Sequence, residues 1–166
     1  GIGGTVDGYD AAAFVSILAA NSELGIITSL LITVGLLLTL AGIIIWVQGW
    51  NGSNGYGLGM ISIPMATTAI IGWSIGSALS IVLAAGIASS TALVEAFFGI
   101  NIISTFIFGA GAILLAIGAA SRSEVNSNFA NVATVAGAIV AISSAIAPFA
   151  TNAGTAIQMI SGLCFF

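Results

Sequence analysis

Residues 24–47 read LGIITSLLITVGLLLTLAGIIIWV. The run has no charged side chain, and as a helix it is long enough to cross roughly 30 Å of hydrocarbon. A β-structure in the same solvent would need a closed barrel of roughly ten-residue alternating segments. No such alternation appears, so the stretch predicts a membrane-type helix. Outward from it, 58–88, 101–120 and 129–149 are three further apolar runs, with Pro64 near the start of the first and Pro148 near the end of the last.

Polar punctuation separates these runs. Asp10 is a candidate N-cap for a short helix over 11–20, which Asn21-Ser22 breaks. The turns are 48–57, containing Trp50-Asn51-Gly52-Ser53-Asn54-Gly55, and 121–128, containing Arg122 and Glu124. Ser89-Ser90-Thr91 divides the chain near its middle, and 92–98 reads as a second short helix. The expected fold is all-α: hydrophobic helical hairpins with four long membrane-type helices and a short N-terminal helix. Thr151-Asn152-Ala153-Gly154 leads to a last apolar piece ending Cys164-Phe165-Phe166.

Composition points the same way. Asp7, Asp10, Glu23, Glu95, Arg122 and Glu124 are the only charged residues among 166, and the net charge is −4. An ordinary soluble domain is about a quarter charged. This surface therefore suits lipid, or an assembly whose subunits bury one another. Without clustered Lys and Arg there is no patch for nucleic-acid phosphates. The absence of histidine and the scatter of carboxylates exclude the usual zinc or iron site and leave acid–base catalysis without its usual groups. The reading is a non-enzymatic protein with no catalytic residues, no metal and no cofactor. Cys164 is the sole cysteine and reads as a small buried apolar residue. A start at Gly1 without a basic leader suits an exported, processed product.

The chain aligns with itself at an offset of 76 positions. Ile26-Ile27-Thr28-Ser29 meets Ile102-Ile103-Ser104-Thr105, and Gly35, Leu38 and Gly42 meet Gly111, Leu114 and Gly118. Thr67-Thr68-Ala69-Ile70 meets Ser143-Ser144-Ala145-Ile146, and the two polar turns coincide. The expectation is a tandem duplication, with a first hairpin in 1–90 and a second in 91–166, packed as one unit.

Small residues mark where helices could meet. Gly35 and Gly42 share a helix face, as do Gly111 and Gly118, and Gly72-x-x-x-Gly76 forms another seam. Hydroxyls inside the apolar runs, among them Thr28, Ser29, Thr33, Thr39, Thr67, Thr68, Ser74, Ser77 and Ser80, can bond back to their own helix or across to a neighbour. Trp46 and Trp50 flank the first turn, where indoles suit a headgroup boundary. Arg122, the sole cation, could pair a lipid phosphate or, locally, Glu124. Glu23 and Glu95 each open a long helix, where a carboxylate complements the dipole. Asn51-Gly52-Ser53 fits the N-glycosylation pattern and makes Asn51 a candidate acceptor.

With these residues in place, the first half resembles the conjugative pilins of type IV secretion systems. The resemblance rests on the short helix over 10–20 and on a Gly/Ser-containing helix ending Ala41-Gly42-Ile43-Ile44-Ile45-Trp46-Val47-Gln48-Gly49. A small polar turn and a second Gly/Ala-rich helix follow. The second half repeats the plan with Ala120-Ser121-Arg122-Ser123 at its turn. The resemblance implies storage in a membrane, then extraction into a helical tube with phospholipid as a structural ligand. In such a tube the turns would face the lumen, and Arg122 would meet lipid headgroups.

Expected partners on this reading are copies of the chain itself, membrane lipid and a secretion or import machinery, with nucleic acid as cargo only. The expected location is the cell surface, as an extracellular filament fed by a membrane-inserted pool. Family pilins carry one hairpin and more positive charge at the turn, two points where this chain departs; its low charge suits a relative in an archaeal DNA-import system. A capsid protein of a spindle-shaped archaeal virus, with Asn51 turned outward, is the competing expectation. A small polytopic channel or transporter subunit ranks third, because only Pro64, Pro148 and Glu95 offer the broken helix or intramembrane charge such sites use.

Overall fold

The structure is a computed structural model that describes residues 11–88 and 90–149. It contains five α-helices in chain order: α1 (Ala11–Ala20), α2 (Ser22–Gln48), α3 (Tyr56–Ala84), α4 (Thr91–Ala120) and α5 (Ser127–Ile146). A single 3₁₀ turn, Ala147–Phe149, follows α5. Among the described residues there is no strand. Asp7, Asp10, Cys164 and the apolar tail lie outside the described residues.

The boundaries follow local chemistry. Asn21 leaves the helical region (φ −131°, ψ 44°) and donates its side-chain amide to the Ile17 carbonyl at 3.2 Å, which closes α1 and starts α2. Gly52 and Gly55, at φ 77° and 84°, turn the chain between α2 and α3. Gly55 must be glycine for a second reason: a Cβ there would sit 2.8 Å from the Gly118 carbonyl carbon. Gly86 (φ 68°) ends α3 in a Schellman motif, with Ile87 N–H donating to Val82 O and Gly86 N–H to Leu83 O. At α5 the Asn126 side chain accepts from Asn128 N–H at 2.9 Å, a true N-cap.

Two sequence expectations are corrected. The short helix expected over 92–98 and the long run from 101 are one continuous helix, α4. Gly99 alone costs only about 1 kcal/mol against alanine and does not break a helix. Asn101, in place of competing with the backbone, donates its side-chain amide to Phe97 O at 2.8 Å and continues the helix. Because α4 starts at Thr91, Glu95 stands beyond the first turn, outside the reach of the dipole. Glu23 does lie in the first turn of α2.

Consecutive helices pack side by side: α2 on α3, α3 on α4 and α4 on α5. α1 lies at one end, against α2, α3 and α4. Each end of the bundle has its own apolar cluster. Leu18 of α1 is buried together with Leu83, Ala84 and Val94, with Phe14 and Phe98 against them. Val47, Trp50 and Ala119 are buried beside the turns. Between these ends the helices meet mostly through small residues.

All four long helices are long and apolar enough to cross a membrane. At about 1.5 Å per residue, even α5 spans roughly 30 Å. Large side chains such as Leu31, Leu38, Ile45, Ile103, Phe129 and Val132 point outward from the bundle. Packing this apolar surface against water would be costly, since burial is worth about 25 cal/mol per Å². The chain is a membrane-associated protein.

Candidate functional site

The two polar turns form one surface. Arg122, 14% exposed, reaches across from the second turn to the first. Its guanidinium donates to the Ser53 hydroxyl, pairs with Glu124 at 3.1 Å and stands 5.4 Å above the Trp50 ring. Ser53 in turn donates to Trp50 O, and Ser121 donates to Gly118 O. A small cleft of about 150 Å³ lies here, lined by Ser53, Asn54, Ser121, Arg122, Ser123 and Glu124.

Trp50 is the anchor of this cap, and its position corrects the headgroup-boundary expectation. It is 2% exposed, held in a slot between α3 and α4. The slot exists because Gly59 and Gly118 lack side chains: Cβ atoms there would lie 2.8 Å and 3.2 Å from the indole. Trp46 does remain at the surface, 44% exposed, with its ring edge-on to Trp50 at 4.8 Å between centroids. Asn51 is exposed at the tip of the first turn.

The expected packing glycines divide into two groups. Gly72, Gly76, Gly111 and Gly118 all lie in contacts between α4 and the first half of the chain. Gly72 faces the Ser104 side chain, Gly76 faces Asn101 and Phe97, and Gly111 approaches Met65 and Ser62. Gly35 and Gly42 have nothing within 4 Å of a Cβ position. They lie on α2, whose most apolar window is only 6% buried.

The close backbone approach of α4 to α5 was not singled out from sequence. Gly109 of α4 and Gly137 of α5 face one another, and a Cβ on Gly109 would meet Ala141 N at 2.8 Å. Their only sequence signal is membership of Gly/Ala-rich helices, which many non-contacting glycines share. The Arg122–Ser53 bond has no sequence signal either, since its partners are 69 residues apart.

Among the described residues no three His, Cys, Asp or Glu side chains gather where a metal could bind. The arrangement offers a compact polar cap, an apolar helix, α2, covered along one side only, and hydroxyl-bearing seams. Comparison with known families, curated proteins and solved structures found no match.

Proposed function

We propose that this chain is a structural subunit that polymerises through its lipid-facing helices into an extracellular filament of the conjugation or DNA-import type, drawn from a membrane-stored pool with lipid retained between subunits. The observation that carries the reading is α2. It packs on α3 along one side and leaves Leu30, Leu31, Val34, Leu37, Leu38 and Ile45 uncovered. Gly35 and Gly42 lie among them with open space above their backbones.

In lipid, helix association draws on close backbone approach at small residues, not on a hydrophobic drive. A glycine pair seven residues apart on an otherwise uncovered helix is suited to that approach. Within the chain itself, Gly111 and Gly118, also seven residues apart, both meet a neighbouring segment, where a Cβ would lie 3.1 Å from Met65 Cβ and 2.9 Å from Gly55 O. The cap supports the reading too: it ties both turns into one rigid end, so each subunit presents a fixed shape to its neighbours. Arg122 spends two of its five N–H donors on that cap, which gives it a bracing role; a lipid phosphate would approach it over the cleft beside Ser123.

The test is electron microscopy and mass spectrometry of material sheared from the source cells. The expected result is a filament composed of this chain with co-purifying lipid in about stoichiometric amount. Recovery only as a detergent-dispersed membrane monomer, or in spindle-shaped particles, would overturn the proposal. A glycan on the exposed Asn51 would favour the virion, where that turn faces outward.

A further inference from the structure

Between α2, α3 and α4, away from the turns, runs an open groove of about 460 Å³. Ile32, Leu36, Trp73 and Phe97 supply apolar walls, and Ser77 and Ser80 lie in it with Asn101. Six serines are buried among the described residues. Ser29, Ser62 and Ser144 each donate to a carbonyl of their own helix. Ser77, Ser80 and Ser104 make no such bond. Ser104 is wedged against Gly72 on the other side of the seam.

Ser77 and Ser80, 9% and 8% exposed, therefore bring two unpartnered hydroxyls to one wall, one helical turn apart. The Asn101 side chain spends its amide donor on Phe97 O and keeps its carbonyl oxygen open. A buried hydroxyl without a partner costs about 1–3 kcal/mol. Retaining two in one groove is accounted for if something else completes them.

We infer that this groove binds a neutral amphiphile: one apolar chain or ring system with an uncharged head that both accepts and donates hydrogen bonds. The chemistry of the walls selects that class. Among the described residues no charged side chain lines the groove, so an ionic head would lose its water with no counter-charge. The hydroxyls of Ser77 and Ser80 donate to the head, and the Asn101 carbonyl accepts from it. The volume lies within the ~300–1,000 Å³ of small-molecule sites, which commonly form between helices of bundles. This ligand is distinct from phospholipid packed between subunits, and its binding requires no polymer.

Trp73 in the wall supplies a readout. The monomeric chain in detergent, with Trp46→Phe to remove the exposed indole, is titrated with a monoacylglycerol brominated along its acyl chain. The expected result is saturable quenching of tryptophan emission. The matched lysophosphatidylcholine should quench only weakly and without saturation. Ser77→Ala with Ser80→Ala should weaken the neutral probe about tenfold or more, while leaving the fold at least as stable because two unpaired hydroxyls are gone. Equal quenching by both probes, or an unchanged curve in the double variant, would overturn the inference. Saturable quenching in the monomer that disappears on assembly would also overturn it, assigning the groove to a neighbouring copy. Ser77→Leu, which fills the groove, should abolish saturation while helix content stays unchanged by circular dichroism.

Discussion

Arg122 is the single cation, and its placement shows what one charge does in a chain with almost none. It crosses between turns, and the groups it meets are of unequal worth. Glu124 is exposed, and pairs with a solvent-facing partner contribute about 0–1 kcal/mol. Trp50 and Ser53 hold the guanidinium where it is largely removed from solvent, and there a cation–π contact and a charged hydrogen bond each contribute about 1–3 kcal/mol. Arg122→Ala should therefore destabilise the detergent-solubilised chain by about 2–4 kcal/mol, measured by thermal unfolding followed through tryptophan emission. Glu124→Ala should change it by less than about 1 kcal/mol. Equal losses would mean that the ion pair, and not the bridge to the first turn, holds the cap. The local partner Glu124 was legible from sequence because it lies only two positions along the chain. Ser53 and Trp50 were not, because nothing in a one-dimensional pattern brings position 122 beside position 53.

At the scale of the helix, the same residue type does opposite work on different elements. A Cβ at Gly109 would press on the backbone of Ala141, which cannot rotate away, whereas one at Gly35 or Gly42 meets open space. Gly109→Ala should cost about 1–3 kcal/mol by overpacking. Gly35→Ala and Gly42→Ala should each leave the isolated chain unchanged or stabilise it by up to about 1 kcal/mol, the helix-propensity gain. The check is unfolding of each variant in detergent. If the filament reading is right, Gly35→Leu with Gly42→Leu should also abolish polymerisation while the monomer folds normally. Unimpaired filaments from that variant would remove α2 from the interface.

The element map itself was largely readable: run length and polar turns gave the four long helices and the short first one. The continuity of α4 was not, because Gly99 and Asn101 look like a break until the Asn101 amide is seen returning to its own helix. Which glycines pack was also hidden. In chains this rich in glycine, a seam depends on helix rotation, which only the neighbouring helix sets.

For the molecule as a whole, sidedness follows from the even number of crossings in each hairpin. With all four long helices crossing, α2 and α3 would leave and return and α4 and α5 would do the same, which would bring both turns out on one side. The Arg122 bridge is the direct sign of it. α1, residues 85–88 and the end of α5 would then belong to the opposite face, with Glu23 and Glu95 near it. The duplication expected at an offset of 76 would keep this sense, since two copies of a two-span unit share one orientation, whereas a three-span unit would invert its second copy. The alternatives separate in a labelling experiment. With Cys164→Ser as background, Asn54→Cys and Ser123→Cys should react with an impermeant thiol reagent from the same side of sealed vesicles. Ile87→Cys and Ser90→Cys, both at exposed positions, should react only from the other side. Asn54 and Ser123 reacting from opposite sides would mean that the hairpins insert independently and that the bridged cap does not form in the bilayer. Reaction of all four positions from one side would show that the hairpins lie along the membrane surface instead of crossing it, because ~20 apolar residues per helix could not then span the hydrocarbon.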